Sequence, residues 1–303
     1  MISIYTRTNN IAKKEFWKYS IKKMLGKYSG PDAVLDSLVR GLTELGIPFE
    51  VNPGKPKYKT IHVLSGISIL QEMIAKRSAG KIEVLIAGPT LVETPYDYDN
   101  IIQSNQIDLI LFPSKWTKDF YVSLVASLDK KIKIWPAGVL IPEKASRKEK
   151  TLIFKKNIPE DTYNQIIKII KDKDTPYDII TYGTYGRKEY QEKLESASVL
   201  IYLQTTESQG LALQEAWSYD VPTLVWKNTE WKTEKYSWYD EKISAPYLTD
   251  DSGSFFTTET LSRELDAIIN NTSSFTPRKY CMENLSDKAS AQKYLEIIKN
   301  HVK

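Results

Sequence analysis

Along this chain, short runs of continuous apolar residues alternate with longer stretches in which apolar positions recur every three or four residues. ISIYT, residues 2–6, is the first apolar run and predicts a strand. After a long polar segment, PDAVLDSLVRGLTELG carries Val34, Leu35, Leu38, Leu42 and Leu45 at helical spacing, with Gly46 as the stop signal. PFEV and TIHVL predict the next strands, and SILQEMIAKRSA a helix beyond them. KIEVLIAGP and LILFPS read as buried strands, KWTKDFYVSLVASL as a helix, and KIKIWPAG as the strand that closes this half. IPEKASRKEK, proline-bearing and heavily charged, reads as a linker. The pattern then restarts. TLIF, YDIITYG, SVLIYL and VPTLVW predict strands; EDTYNQIIKIIKD, RKEYQEKLESA and GLALQEAWSYD predict the helices between them; TLSRELDAIIN and DKASAQKYLEIIKNHV predict the last two helices.

Strands that are apolar throughout and separated by helices belong to parallel sheets covered on both faces. Two such halves predict an α/β architecture of two Rossmann-like, doubly wound domains, residues 1–142 and 143–303, facing a central cleft. The last helix is free to pack back on the first domain. The length of 303 residues suits two domains of roughly 150. Ligands of open parallel sheets bind at the carboxyl ends of the strands, which points to the cleft as the expected site.

Composition narrows the function classes. Hydrophobic residues at 41% and charged residues at 26% are those of a soluble globular protein, and a net charge of +4 is too small for a dedicated nucleic-acid binder. The one cysteine, Cys281, excludes an intramolecular disulfide and suits a reducing compartment. With only His62 and His301, a zinc site or a serine–histidine triad is hard to build. MISIYTRTNN lacks the apolar core of a signal peptide, and no apolar run approaches the ~20 residues that span a membrane. A cytoplasmic protein is expected. AKKEFWKYSIKKMLGKY, residues 12–28, adds a second option, with six lysines and one glutamate. Trp17, Ile21, Met24 and Leu25 can share one helical face there. That is the pattern of a basic helix lying on the inner face of an anionic membrane, or of a solvated helix over the first domain.

The candidate chemistry sits in ESQGLALQE, where Glu207 and Glu215 are separated by seven residues. If SVLIYL is a strand, Glu207 lies in the loop after its carboxyl end and Gly210 opens the next helix. The first N–H groups there, on Gly210, Leu211 and Ala212, and the helix dipole offer an anion site. At ~1.5 Å per residue the two carboxylates stand on the order of 10 Å apart. A nucleotide sugar offers hydroxyls on both sides of its diphosphate at that scale. An acid near a helix start is also stabilising by itself, so spacing alone leaves both readings open.

The wider segment SASVLIYLQTTESQGLALQEAWSYDVPTLVW resembles the signature of retaining glycosyltransferases of the GT-B fold, the large family-4 group. The matching elements are Thr205, Thr206, Glu207, Gly210, Glu215, Ala216, Trp217, Val221 and Pro222. Asp220 stands where that family usually has glycine, and Gln209 where it usually has an aromatic residue. LILFPSKWTKDFY, IKIWPAGVLIP and YSGPDAVLDSLVRGLTELGI are weaker echoes. The resemblance implies transfer of a sugar from a nucleotide sugar, UDP- or GDP-linked, to a hydroxyl of a glycan or lipid-linked acceptor. It implies retention of configuration, no metal or other cofactor, and no nucleic-acid partner. Glu207 would face the transferred sugar and Glu215 the ribose, with Ser208, Gln209, Gly210 and Leu211 around the donor. Lys155 and Lys156 stand where the family has an arginine–lysine pair, and Lys156 joins Glu207 as a catalytic candidate. Ser29, Gly30 and Pro31 match the family's first-domain glycine loop, and Tyr185 of YGTYG the position that meets the nucleotide base. The family's extra strand and helix before YDIITYG are missing.

Three rivals remain at the level of sequence. DYD, with Asp97 and Asp99, has the Asp-x-Asp form of metal-dependent transferases of the other major fold, although chance alone supplies such a tripeptide. A catalytically degenerate relative could serve as a binding or scaffold subunit. A sugar-nucleotide epimerase shares the two-domain architecture, but its acidic and histidine residues have no counterpart here.

Overall fold

The computed structural model describes the chain except for residues 8, 11, 25–28, 90, 147, 272–273 and 302–303. It divides into two compact units, Met1–Gly138 with Asp287–Lys303, and Val139–Ser286. The first unit carries a six-stranded sheet of β1 (Ile2–Tyr5), β2 (Phe49–Val51), β3 (Thr60–Val63), β4 (Val84–Ala87), β5 (Leu109–Phe112) and β6 (Ile132–Ile134). Its order is β2-β1-β3-β4-β5-β6 and every pair is parallel. The connecting segments are the helices α1 (Lys14–Met24), α2 (Gly30–Glu44), α3 (Ile67–Ser78) and α5 (Lys115–Leu124), with α4 (Asp97–Asn100) a single turn that is left-handed at Tyr98, Asp99 and Asn100. All four residues of β1 and of β5 are buried, as continuous apolar runs require when helices cover both faces.

The second unit repeats the plan with β7 (Lys150–Asn157), β8 (Tyr177–Thr181), β9 (Ala197–Gln204) and β10 (Thr223–Trp226). A hairpin of β11 (Glu230–Lys232) and β12 (Ser237–Tyr239) follows, and then β13 (Gly253–Phe256). The helices are α6 (Glu160–Asp172), α7 (Arg187–Ser196), α8 (Leu211–Ser218), α9 (Leu261–Asn270) and α10 (Pro277–Asn284). The main sheet has the order β13-β10-β9-β7-β8 and is parallel. Strand alternation divides its core in two. Leu152, Phe154, Leu200 and Tyr202 pack with Tyr190 and Leu194 of α7, Leu213 and Trp217 of α8, and Cys281 of α10. Ile153, Val199, Ile201 and Leu203 pack on the other side with Ile166 and Ile170 of α6 and Leu261, Leu265 and Ile268 of α9. The hairpin, β13 and α10 have no counterpart among the elements predicted from sequence. Gly253 opens β13 at φ +147, and a Cβ there would stand 1.9 Å from the Thr223 carbonyl oxygen, so the pairing of β13 with β10 needs glycine at this place.

The last helix, α11 (Asp287–His301), belongs to the first unit and lies against α2. A Cβ at Gly41 would stand 2.2 Å from the Asp287 carbonyl oxygen, so the two backbones touch. Beside that contact Arg40 forks onto Asp287, with Nε to Oδ2 at 2.5 Å and Nη2 to Oδ1 at 3.1 Å. Trp135 donates through Nε1 to the Ser290 carbonyl at 3.1 Å, and the Ser290 hydroxyl donates to the Pro136 carbonyl at 2.7 Å. Among the described residues no helix is long and apolar enough to cross a membrane.

His62 lies buried beneath α11. Its Nε2 is 2.8 Å from the Gly88 carbonyl, which can only accept, so Nε2 carries the proton and Nδ1 accepts from the Tyr294 hydroxyl at 2.8 Å. Burial lowers its pKa from 6.5 to about 4. The unfolded chain therefore binds a proton that the folded chain refuses between those two values. Stability from this group is complete above pH 6.5 and is lost as the pH falls towards 4, by as much as about 3 kcal/mol. Urea midpoints of the wild type and His62→Gln at pH 7 and pH 4.5 check this: the wild type should lose more than the variant, and equal losses would contradict it.

Candidate functional site

The chain leaves the second unit's sheet at the carboxyl end of β9, and residues 205–209 lead into α8. The loop is braced on both sides. Thr205 N–H donates to the Asn157 carbonyl at 3.1 Å, and the Asn228 side-chain amide donates to the Thr205 carbonyl at 2.9 Å. Gln204 donates to the Thr206 carbonyl at 2.6 Å, and Glu207 N–H to the Ile243 carbonyl at 2.9 Å. Gly210, at φ 86 and ψ 49, then makes the left-handed step that starts the helix. An L-residue there would cost about 1–2 kcal/mol.

Glu207 is buried, and its Oε1 accepts from Lys156 Nζ at 2.6 Å and from the Tyr202 hydroxyl at 2.6 Å. Register explains how the three meet. Phe154 of β7 is paired with Tyr202 of β9, with the rings stacked 4.9 Å apart, and Lys156 follows at a register shift between Lys155 and Asn157, its ammonium reaching the same Glu207 oxygen as the Tyr202 hydroxyl. The Lys156 ammonium also lies 4.8 Å from the Tyr182 ring centroid. Burial, with the Glu207 carboxylate beside it, pushes the Tyr202 hydroxyl well above its usual pKa, so it stays a donor. Lys155 faces the other side of the strand. It pairs with Glu160 at 2.8 Å and lies 3.8 Å over the Tyr163 ring. The pleat thus sends two adjacent lysines to different environments.

Glu215 is on α8, with Arg187 Nη2, from the first residue of α7, at 3.6 Å. Ser208 is exposed; Gln209 is buried and donates to Gln214 Oε1 at 2.9 Å; Leu211 packs against the core on this side of the sheet. The Tyr185 ring rests edge-on against Phe154, 5.7 Å between centroids, and against Tyr190 at 5.6 Å. Burial raises its hydroxyl's pKa, and the Glu215 and Glu207 carboxylates add to the rise. Tyr185, Glu207, Glu215 and Lys156 are therefore one neighbourhood, and Lys155 is outside it. Gly30 belongs to the first unit, in the first turn of α2, where the Asp32 carboxylate accepts from the Ser29 N–H at 2.9 Å and the Ser29 hydroxyl at 2.6 Å. Tyr28, which precedes this motif, lies outside the described residues. Asp97 accepts from the N–H groups of Glu93 and Thr94 and from the Thr94 hydroxyl, all at 2.9 Å, and so organises its own turn. Among the described residues no group of three or more His, Cys, Asp or Glu is placed to hold a metal ion.

Two residues of this neighbourhood were not singled out from the sequence, Tyr202 and Arg187. Tyr202 carried a usable signal, since it lies in the strand that precedes Glu207. Arg187 follows the YGTYG turn as the first residue of a helix, a position that acids usually prefer.

Asp220, in place of the glycine that the resemblance leads one to expect, ends α8. It holds φ 63, its N–H donates to the Trp217 carbonyl at 2.9 Å, and Val221 N–H donates to the Ala216 carbonyl at 3.1 Å. That pair of bonds is a Schellman cap, whose left-handed residue is usually glycine. Aspartate tolerates the conformation and adds a 3.6 Å contact to Lys148. Asp220→Gly should stay within about 1 kcal/mol of the wild type, because strain relief offsets the lost contacts to Lys148 and to the Arg278 N–H. Asp220→Val should cost about 2 kcal/mol in urea unfolding, because a β-branched residue resists positive φ.

No protein-family model matches the sequence, and no curated protein matches it. Solved structures do. The apo form of lipopolysaccharide outer core galactosyltransferase WaaB is similar at a TM-score of 0.60 and 10% identity, with 99% of each chain covered. Sucrose-phosphate synthase from Thermosynechococcus elongatus is similar at 0.62 and 9%, covering 99% of this chain and 98% of that one. A TarM mutant from S. aureus in complex with UDP is similar at 0.52 and 13%, covering 86% of this chain and 58% of that one. With its two parallel-sheet α/β units, the chain has the fold of the GT-B glycosyltransferases.

Proposed function

We infer that the protein is a glycosyltransferase that moves a sugar from a nucleotide-diphosphate sugar to an acceptor hydroxyl, with retention of configuration and without a metal. The observation that carries this reading is the buried Glu207 carboxylate, held by Lys156 and Tyr202 beside the Gly210 opening of α8. In this reading the departing diphosphate lies against the start of α8 and the Lys156 ammonium. Both are fixed positive groups, and a fixed charge is worth most where negative charge develops in the transition state. Glu207, oriented by two donors to one oxygen, takes hydroxyls of the transferred sugar. Glu215, about a turn and a half along α8, takes the ribose. Tyr185 lines the nucleoside side. UDP or GDP is the expected carrier, and UDP is the one bound in the TarM structure. The acceptor we assign is a glycan or a lipid-linked sugar, and the compartment is the cytoplasm.

A lipid-linked acceptor agrees with α1, where Trp17 and Ile21, four residues apart, are both exposed near Lys14 and Lys18. Such a face suits peripheral contact with an anionic membrane. Leu25, assigned to the same face from sequence, lies outside the described residues. Salt-sensitive sedimentation with anionic vesicles supports the contact; sedimentation that anionic lipid does not increase removes it.

Isothermal titration against UDP-, GDP-, ADP- and CDP-sugars, with assay for released nucleotide, tests the main reading. Binding of one class with slow hydrolysis is expected. Binding without hydrolysis or transfer would make the protein a nucleotide-sugar-binding subunit. Failure to bind any of the four would overturn the reading.

A further inference from the structure

The first residue of α7 is a cation, although helix starts favour acids. Its neighbour Lys188 is 90% exposed and pairs with Glu192 on its own helix. Arg187 instead turns towards α8, where its Nη2 stands 3.6 Å from Glu215 Oε1, with side-chain exposures of 31% and 22%. One turn further along α7, the Tyr190 hydroxyl donates to the Ala212 carbonyl at 2.8 Å and ties the two helices together. Tyr190 is itself buried to 1% exposure, so the spacing between Arg187 and Glu215 is set by packed helices rather than by a mobile loop.

We propose that Arg187 is a positioning residue for the donor nucleotide, fixing the Glu215 carboxylate that takes the ribose diol. This rests on the transferase reading and deepens it. A half-buried glutamate without a charge beside it still has rotamers to lose, and ordering it on binding weakens affinity. The 3.6 Å contact is longer than a hydrogen bond, so Arg187 acts on the carboxylate through charge. The planar guanidinium also restricts the approach in a way that a lysine only partly reproduces.

The test compares UDP and GDP with their 2′,3′-dideoxy counterparts by isothermal titration, on the wild type, Arg187→Gln, Arg187→Lys, Glu215→Gln and the double variant R187Q/E215Q. The wild type should prefer the ribose form by roughly tenfold or more, and Arg187→Gln should lose most of that preference, as one ordered polar contact is worth about that factor. Affinity for the dideoxy form should not change. Arg187→Lys should keep part of the preference, and the double variant should bind no more weakly than Glu215→Gln alone. Equal weakening of both forms by Arg187→Gln would place Arg187 on the phosphates or base and overturn the proposal. An unchanged preference would overturn it too, and a fall in melting temperature with that preference intact would reduce the pair to a structural one. A wild type that binds none of UDP, GDP, ADP and CDP would instead bring down the transferase reading itself.

Discussion

Replacing Lys156 by methionine should lower the rate of sugar transfer about 10²–10³-fold, the usual loss when one fixed charge-stabilising donor is removed from a transition state. Methionine keeps the length and apolar stem of lysine but removes the ammonium. Tyr202 would still hold Glu207, so the carboxylate would stay in place and the loss would report on charge. Lys155→Met, one residue earlier, is the control. Its ammonium already lies against Glu160 and Tyr163 on the opposite face, and its loss should change the rate by less than about threefold, as for other exposed ion pairs. Initial rates of nucleotide release with the donor found by titration decide between them. Equal effects at both lysines would show that strand parity does not select the working cation, and the assignment of Lys156 would fall.

Gly41→Ala should destabilise the first unit by about 2–4 kcal/mol, although alanine is the better helix former by about 0.5–1 kcal/mol. The steric effect wins because the new Cβ would stand 2.2 Å from the Asp287 carbonyl oxygen and 2.6 Å from the Ala291 Cβ. Neither atom can rotate away, so α11 must move. Overpacking of this kind costs about 1–3 kcal/mol by itself. Displacement also loosens the fork between Arg40 and Asp287, whose carboxylate side chain is only 7% exposed. A buried charge that loses its partner adds several kcal/mol when separation is complete, so partial separation brings the total into the stated range. Urea unfolding of the variant measures the sum. A midpoint equal to or above that of the wild type would show that α11 is not held at this contact.

The path from sequence to fold was short where the signal was local. Runs such as LILF and VLIYL are apolar without alternation because helices cover both faces of their sheets, and the two halves are legible from that alone. The hairpin, β13 and α10 were not legible. GSFF is short and set among polar residues, and it becomes a strand through its pairing with β10, which Gly253 permits. The site divides in the same way. Glu207, Gly210 and Glu215 stand out through their spacing around a strand end and a helix start. Tyr202 sits in the apolar run before Glu207, and it is core at its ring while its hydroxyl reaches Glu207. Arg187 carries no such signal, because nothing in its own helix points to Glu215.

The sequence by itself determined the repeated strand–helix plan, the absence of an intramolecular disulfide, and the acid–glycine–acid segment at a strand end. Each depends on residue types within one element or on counts along the chain. Tertiary structure decided which of two adjacent lysines meets Glu207, since that depends on which face of β7 carries α8. It also decided that the last helix belongs with the first unit, through Gly41 against Asp287 and Ala291, and through Arg40 paired with a residue 247 positions away. Local pattern sets the faces an element can bury, but partners distant along the chain choose among them, because close packing accepts only complementary surfaces.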